Sequence, residues 1–117
     1  MPDTLAESRA DAESCVALCQ SAHRACVETM LYCLGRGGAY SEADHIRLLA
    51  DCAEICQTAA DFMLRESPLH GAVCSVCAEV CDQCALECDA FADEGRLDDC
   101  ARICRQRAAS CESMAGM

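Results

Sequence analysis

The chain has 117 residues, 53% hydrophobic yet only 3% aromatic, with no Trp and 14 cysteines. Its formal net charge is −11 and every basic residue is Arg, a balance that argues against nucleic acid and anionic membranes as partners. No run of 18 apolar residues occurs, which excludes a membrane-spanning helix, and the length points to one domain over residues 1–117.

Start and stop signals divide the chain into four helices. The first is expected from Asp3 to Leu34, with Thr4 and Glu7 spaced as a capping box and the Gly35–Gly38 stretch as its breaker. The second runs from Ser41 to Glu66. The third opens at Ser67-Pro68, an N-cap followed by proline at the first helical position, and stops at Glu94 before Gly95. The fourth spans Leu97 to Ala115. No segment alternates with period two and carries the β-branched residues of a strand. Short connections between helices of this length give an all-α, antiparallel up-down-up-down four-helix bundle.

The cysteines fall on these helices at a regular spacing. The first carries Cys15, Cys19, Cys26 and Cys33, and the second Cys52 and Cys56. The third carries Cys74, Cys77, Cys81, Cys84 and Cys88, and the fourth Cys100, Cys104 and Cys111. Every step within a helix is 3, 4 or 7 residues, the spacing of a seam that faces a bundle interior. One or two such residues would be ordinary core filler. Fourteen on four seams would sacrifice packing and invite oxidation.

Intrahelical disulfides fail on geometry, because Cβ atoms one turn apart lie roughly 5–6 Å from each other and a disulfide needs about 3.8 Å. The N-terminus is polar, with no basic segment followed by an apolar one, so no secretory leader is read there and a reducing cytoplasm is expected. Metal then explains the thiols. Thiolate-only ligand sets select soft ions, Cu(I) above all. A Cu⁺ ion that displaces a thiol proton leaves the core charge unchanged, whereas Zn²⁺ at every pair would accumulate buried charge. The elements Cys74–Cys77 and Cys81–Cys84 lack the turn of a zinc knuckle and the adjoining strand of a redox motif, and ferredoxin loop spacings are absent.

The stretches DCAEIC (Asp51–Cys56), CSVCAEVCDQCALEC (Cys74–Cys88) and CARIC with CESM (Cys100–Met114) resemble the four-helix bundle copper storage proteins, in particular the cytosolic type without a signal peptide. The resemblance covers nearly the whole chain. It implies a homotetramer of bundles, each storing many Cu(I) ions on inward cysteines, and an end supplied with His or Met where copper enters. It favours His in the first and third connections as that mouth, which supports the His45 end, whereas the Met cluster favours the opposite one. Arg107 stands where the fourth helix of the family would carry a further cysteine, and Ala22 and Thr29 occupy seam positions of the first. Capacity is therefore expected below that of the most cysteine-rich members, and Arg107 is expected to snorkel outward or meet a carboxylate.

All 14 cysteines are thus candidate Cu(I) ligands, with His45, His70, Met63 and Met114 as candidate entry-site ligands. His45 lies with Cys33 and Phe91 at one end of the bundle; His70, Met63, Met114 and Cys15 share the other, and the residues do not decide between the ends. His23 and Met30 lie beside the seam. Asp82, Glu87, Asp98 and Asp99 fall on solvated faces. Other readings are buffering of zinc or another thiophilic ion, a thiol oxidoreductase, and a structural bundle awaiting a partner. An enzyme is disfavoured because catalytic thiols need a nearby cation or helix N-terminus and some exposure, while most of these sit mid-helix. A copper donor or acceptor is expected as a partner.

Overall fold

The computed structural model describes the backbone of residues 4–91 and 94–115, and side chains from Ala12 onward within those ranges. Four helices follow one another: α1 (Thr4–Arg36), α2 (Ala43–Leu64), α3 (His70–Asp89) and α4 (Gly95–Ala115), with a 3-10 turn at Gly38–Ser41. Among the described residues no strand occurs, and no helix is long and apolar enough to cross a membrane. Among the described residues each helix lies beside two neighbours, α1 beside α2 and α4, and α3 beside α2 and α4, and across the diagonals the backbones stay apart while only core side chains meet. This closed ring of antiparallel neighbours is the up-down-up-down bundle that the short connections predict.

The helix ends differ from the sequence reading in instructive ways. The Thr4–Glu7 capping box lies outside the described side chains. The first helix stops where Gly37 (φ 72°) and Gly38 (φ 59°) turn left-handed, a conformation that costs glycine little. α2 begins at Ala43 after Glu42, which makes no side-chain cap. It ends in a Schellman-type turn: Ser67 N–H donates to the Phe62 carbonyl at 3.0 Å and Glu66 N–H to the Met63 carbonyl at 3.0 Å. Glu66 holds the left-handed position at φ 53°, where a non-glycine residue costs about 1–2 kcal/mol. That turn continues through Ser67, whose Oγ accepts from Leu69 N–H at 3.1 Å. The third helix therefore starts at His70, not at Pro68, and closes at Asp89, ahead of the expected Glu94. Gly95, read as a stop, is the first residue of α4.

The core is a column of small side chains. All 14 cysteines are buried, together with Ala22, Ala53, Ala59, Ala60, Ala78, Ala85, Ala101 and Ala108. Alanine on the flanks of each cysteine seam lets neighbouring helices approach closely, since interaxial distance follows the side chains at the contact. Leu49 and Leu97 are the largest apolar side chains that are fully buried. Because turns and seams already specify the bundle, the fully reduced protein is expected to be mainly helical without metal, unlike a zinc finger. Circular dichroism of the reduced, metal-free protein checks this; a coil spectrum that turns helical only with Cu(I) would refute it.

Candidate metal centre

The seam spacing turns every thiol toward the bundle axis, and the axis becomes a continuous path of sulfur. At its centre Cys26, Cys84, Cys100 and Cys104 bring their sulfurs within 4.8 Å of one another, and Cys52, Cys56 and Cys81 form a second such group. Cys104 joins the two, 3.8 Å from Cys26 and 3.9 Å from Cys52. Cys81 lies 3.7 Å from Cys52 and 3.6 Å from Cys56. Cys77 extends the path, 3.8 Å from Cys56 and 3.9 Å from Cys81. Beyond it Cys77 and Cys74 neighbour Cys111, while Cys15 neighbours Cys19. Toward the other end Cys88 neighbours Cys100.

Sulfurs about 3.9 Å apart leave a midpoint about 2 Å from each, close to a metal–thiolate bond of about 2.3 Å. All 14 cysteines are free thiols, so each can supply a ligand. Shared protons divide the titration among neighbours: hydrogen bonds to Cys100 and then Cys104 push the thiols of Cys26 and Cys84 upward. Burial is what raises Cys33.

The two ends of the column differ. At one, His45 is 2% exposed and its Nε2 lies 3.3 Å from Cys33 Sγ. Its Nδ1 is 3.3 Å from a Glu87 carboxylate oxygen, within ion-pair reach although not aligned as a hydrogen bond. Glu87, expected on a solvated face, is thus half-exposed and turned to His45; Asp82, Asp98 and Asp99 are exposed as expected. Phe91 stacks on His45 with ring centroids 4.7 Å apart and on Tyr40 at 4.6 Å. Arg36 lies over the Tyr40 ring and pairs with Glu94 at 3.1 Å.

At the other end a pocket of about 400 Å³ is lined by Ala12, Met63, Glu66, Ser67, Pro68, His70 and Met114. His70 Nδ1 lies 2.9 Å from the Ser67 carbonyl. A proton donated there leaves Nε2 as a lone pair, the tautomer that second-shell carbonyls impose on metal-binding imidazoles. That Nε2 is buried and has no partner among the described residues. His45 and the His70, Met63 and Met114 group therefore occupy opposite ends, as their positions in the chain imply. His23 does neither; its Nδ1 meets the Ala53 carbonyl at 2.7 Å and ties α1 to α2.

Arg107 overturns one expectation. It neither snorkels nor meets a carboxylate: it is 0% exposed, and its Nη1 donates to Cys15 Sγ at 2.7 Å. Ser110 Oγ donates to the same sulfur at 2.9 Å. A thiol is the acceptor, which a search for carboxylate partners overlooks; Ser110, one turn beyond Arg107, was the readable signal. Its hydrogen bond with Cys19, then those with Ser110 and Arg107, bring the Cys15 thiol down to about 6 against the opposing effect of burial. Burial alone would favour neutral Arg107, but the thiols of Cys19, Cys111, Cys77 and Cys15 outweigh it and hold the guanidinium protonated.

Known proteins share this fold. A Nitrosospira multiformis protein of known crystal structure superposes with a TM-score of 0.87 at 40% identity, covering 92% of this chain and 97% of that one. The Cu(I)-bound copper storage protein BsCsp3 gives 0.84 at 32% identity, with 90% and 98% covered. Apo copper storage protein 3 from Bacillus subtilis gives 0.80 at 33%, with 88% and 97% covered. The cysteine-rich protein YhjQ of Bacillus subtilis (strain 168) is 33% identical over 103 residues, 88% of this chain and 94% of that protein. The family model for copper storage proteins matches residues 8–116. With the sulfur-lined bundle and this match over nearly its whole length, the chain belongs to the copper storage protein family.

Proposed function

We propose that this protein stores multiple Cu(I) ions on the thiolates of its 14 core cysteines, as a cytoplasmic, non-enzymatic reservoir folded as a single domain. The observation that carries the reading is the unbroken sulfur column, whose neighbours sit 3.6–3.9 Å apart from Cys77 through Cys56, Cys81, Cys52 and Cys104 to Cys26. A single catalytic or structural site needs two to four ligands; a column of shared thiolates suits many low-coordinate soft ions. Family membership and the Cu(I)-bound neighbour support it. By the same resemblance we assign a homotetramer, with an unidentified copper donor or acceptor exchanging copper at a bundle end.

Of the two ends, the pocket of Met63, His70 and Met114 suits copper entry. Thioether and imidazole are neutral, weaker ligands that can pass an ion to thiolates. His45, beneath Phe91, suits a terminal ligand paired with Cys33. Zinc buffering has one observation in its favour: Cys26, Cys84, Cys100 and Cys104 bring together four sulfurs, the number of ligands a structural zinc takes. A Zn²⁺ ion there would leave two uncompensated negative charges in the core, which is costly.

Anaerobic titration of the reduced protein with Cu(I) against a chelator tests the proposal. Saturation on the order of one ion per cysteine is expected, because bridging thiolates serve several ions. Saturation at one or two ions would sink storage, and tighter retention of zinc than of Cu(I) in metal competition would transfer the role to zinc.

A further inference from the structure

Arg107 is a permanent cation sealed in a thiol core. Arginine does not lose its proton in proteins, and an unpaired buried charge is costly. Its Nη1 donates to Cys15 Sγ at 2.7 Å and reaches Ser110 Oγ at 3.4 Å. Nε and Nη2 have no partner among the described residues. No carboxylate among the described residues pairs with it; Thr29 and His45 are the other buried polar side chains. The thiols of Cys15, Cys19, Cys77 and Cys111 are the groups whose charge acts on it. Such a group calls for an anion.

Copper storage on cysteines supplies one. When two thiolates hold one Cu⁺, the unit [Cu(S-Cys)₂] carries a net charge of −1. Each thiol still protonated gives its proton to solvent, two Cu–S bonds form, and no electron moves. Elsewhere in the core the first such unit would be a buried anion with no permanent counter-charge among the described residues. Beside Arg107 it is neutralised, and the orphaned donors gain acceptors. Cys15, which meets the guanidinium, and Cys19, one turn further along α1, make the pair beside it.

We propose that Arg107 is the built-in counter-ion of a discrete bis-thiolate Cu(I) site on Cys15 and Cys19, and that this site fills first when the empty protein takes up copper. The inference rests on the storage reading and adds an order of loading to it. The site lies just inside the pocket of Met63, His70 and Met114, so the first ion held is also one close to that mouth.

The test uses the reduced full-length protein and Cu(I) delivered from a competing chelator, with Arg107→Met, Arg107→Lys and Cys15→Ser compared with the wild type. The wild type should bind its first equivalent at least tenfold tighter than the ions that follow. Arg107→Met and Cys15→Ser should abolish that advantage, and Arg107→Lys should keep most of it, because the lysine retains the charge. X-ray absorption at one equivalent should show two sulfur neighbours and no copper neighbour in the wild type, and copper neighbours in Arg107→Met. An Arg107→Met protein that holds its first ion as tightly as the wild type overturns the proposal, as does a wild-type spectrum with copper neighbours at one equivalent. Total capacity separates the two readings: many ions bound with no effect of Arg107 refutes the counter-ion alone, and saturation at one or two ions refutes storage.

Discussion

Replacing Cys77, Cys81 and Cys84 together with serine is expected to cost several copper ions while the bundle survives. These three residues lie on one face of α3, yet they serve different neighbourhoods. Cys81 completes the group with Cys52 and Cys56, Cys84 completes the group with Cys26, Cys100 and Cys104, and Cys77 reaches Cys56 at 3.8 Å. Their loss interrupts the sulfur column in its middle instead of trimming an end. Serine nearly preserves volume, and in a helix its hydroxyl can bond the carbonyl one turn back. The cost in stability is therefore about 1 kcal/mol per site, at the lower end of that for a buried polar group. Capacity measured by Cu(I) titration should fall by roughly three ions or more, by analogy with shared soft-metal thiolate sites, with the helical circular dichroism retained. Unchanged capacity would place the copper outside the core.

The largest effect on the metal-free protein is expected from Arg107→Met, and its sign is stabilising. The guanidinium is fully buried with two donor atoms unpartnered. Methionine fills a similar volume with a flexible apolar chain. Deleting one partner of a buried ion pair usually hurts, because the other charge is stranded, but without the guanidinium Cys15 avoids this by taking up a proton. The exchange then falls in the class where apolar replacement of buried charge gains about 1–4 kcal/mol. Each kcal/mol moves the midpoint of a domain near this size by roughly 4–8 °C. Thermal unfolding of the reduced apo protein should show a rise of several degrees; a fall would mean that the thiols already compensate the charge before copper arrives.

The two substitutions mark what could and could not be read along the chain. The seams were legible because helical periodicity admits one register: steps of 3, 4 and 7 put all 14 cysteines on buried positions, and Ala22, Thr29 and Arg107 fell on the same lines. The pairing of ends followed from antiparallel order, so His45 with Cys33 and Met63 with His70 and Met114 were placed from sequence. Helix boundaries were less legible. Glu66 takes a left-handed cap that its side chain does not advertise, and the turn it starts delays α3 to His70. Partners that depend on three dimensions were hidden: Glu87 beside His45, and a sulfur in place of a carboxylate beside Arg107.

The contacts that join the helices inside this core are weak ones, sulfur to sulfur at 3.6–3.9 Å, with alanine around them and no large ring among the fully buried residues. Copper would replace such contacts by bonds that bridge one helix to another. Each ion that binds only the folded chain adds its own increment to resistance against unfolding. Resistance to proteolysis then rises with the number of ions carried, since cleavage generally follows opening. In a cell, turnover would remove empty copies and spare full ones, so the mean lifetime of a molecule would itself record how much metal it holds.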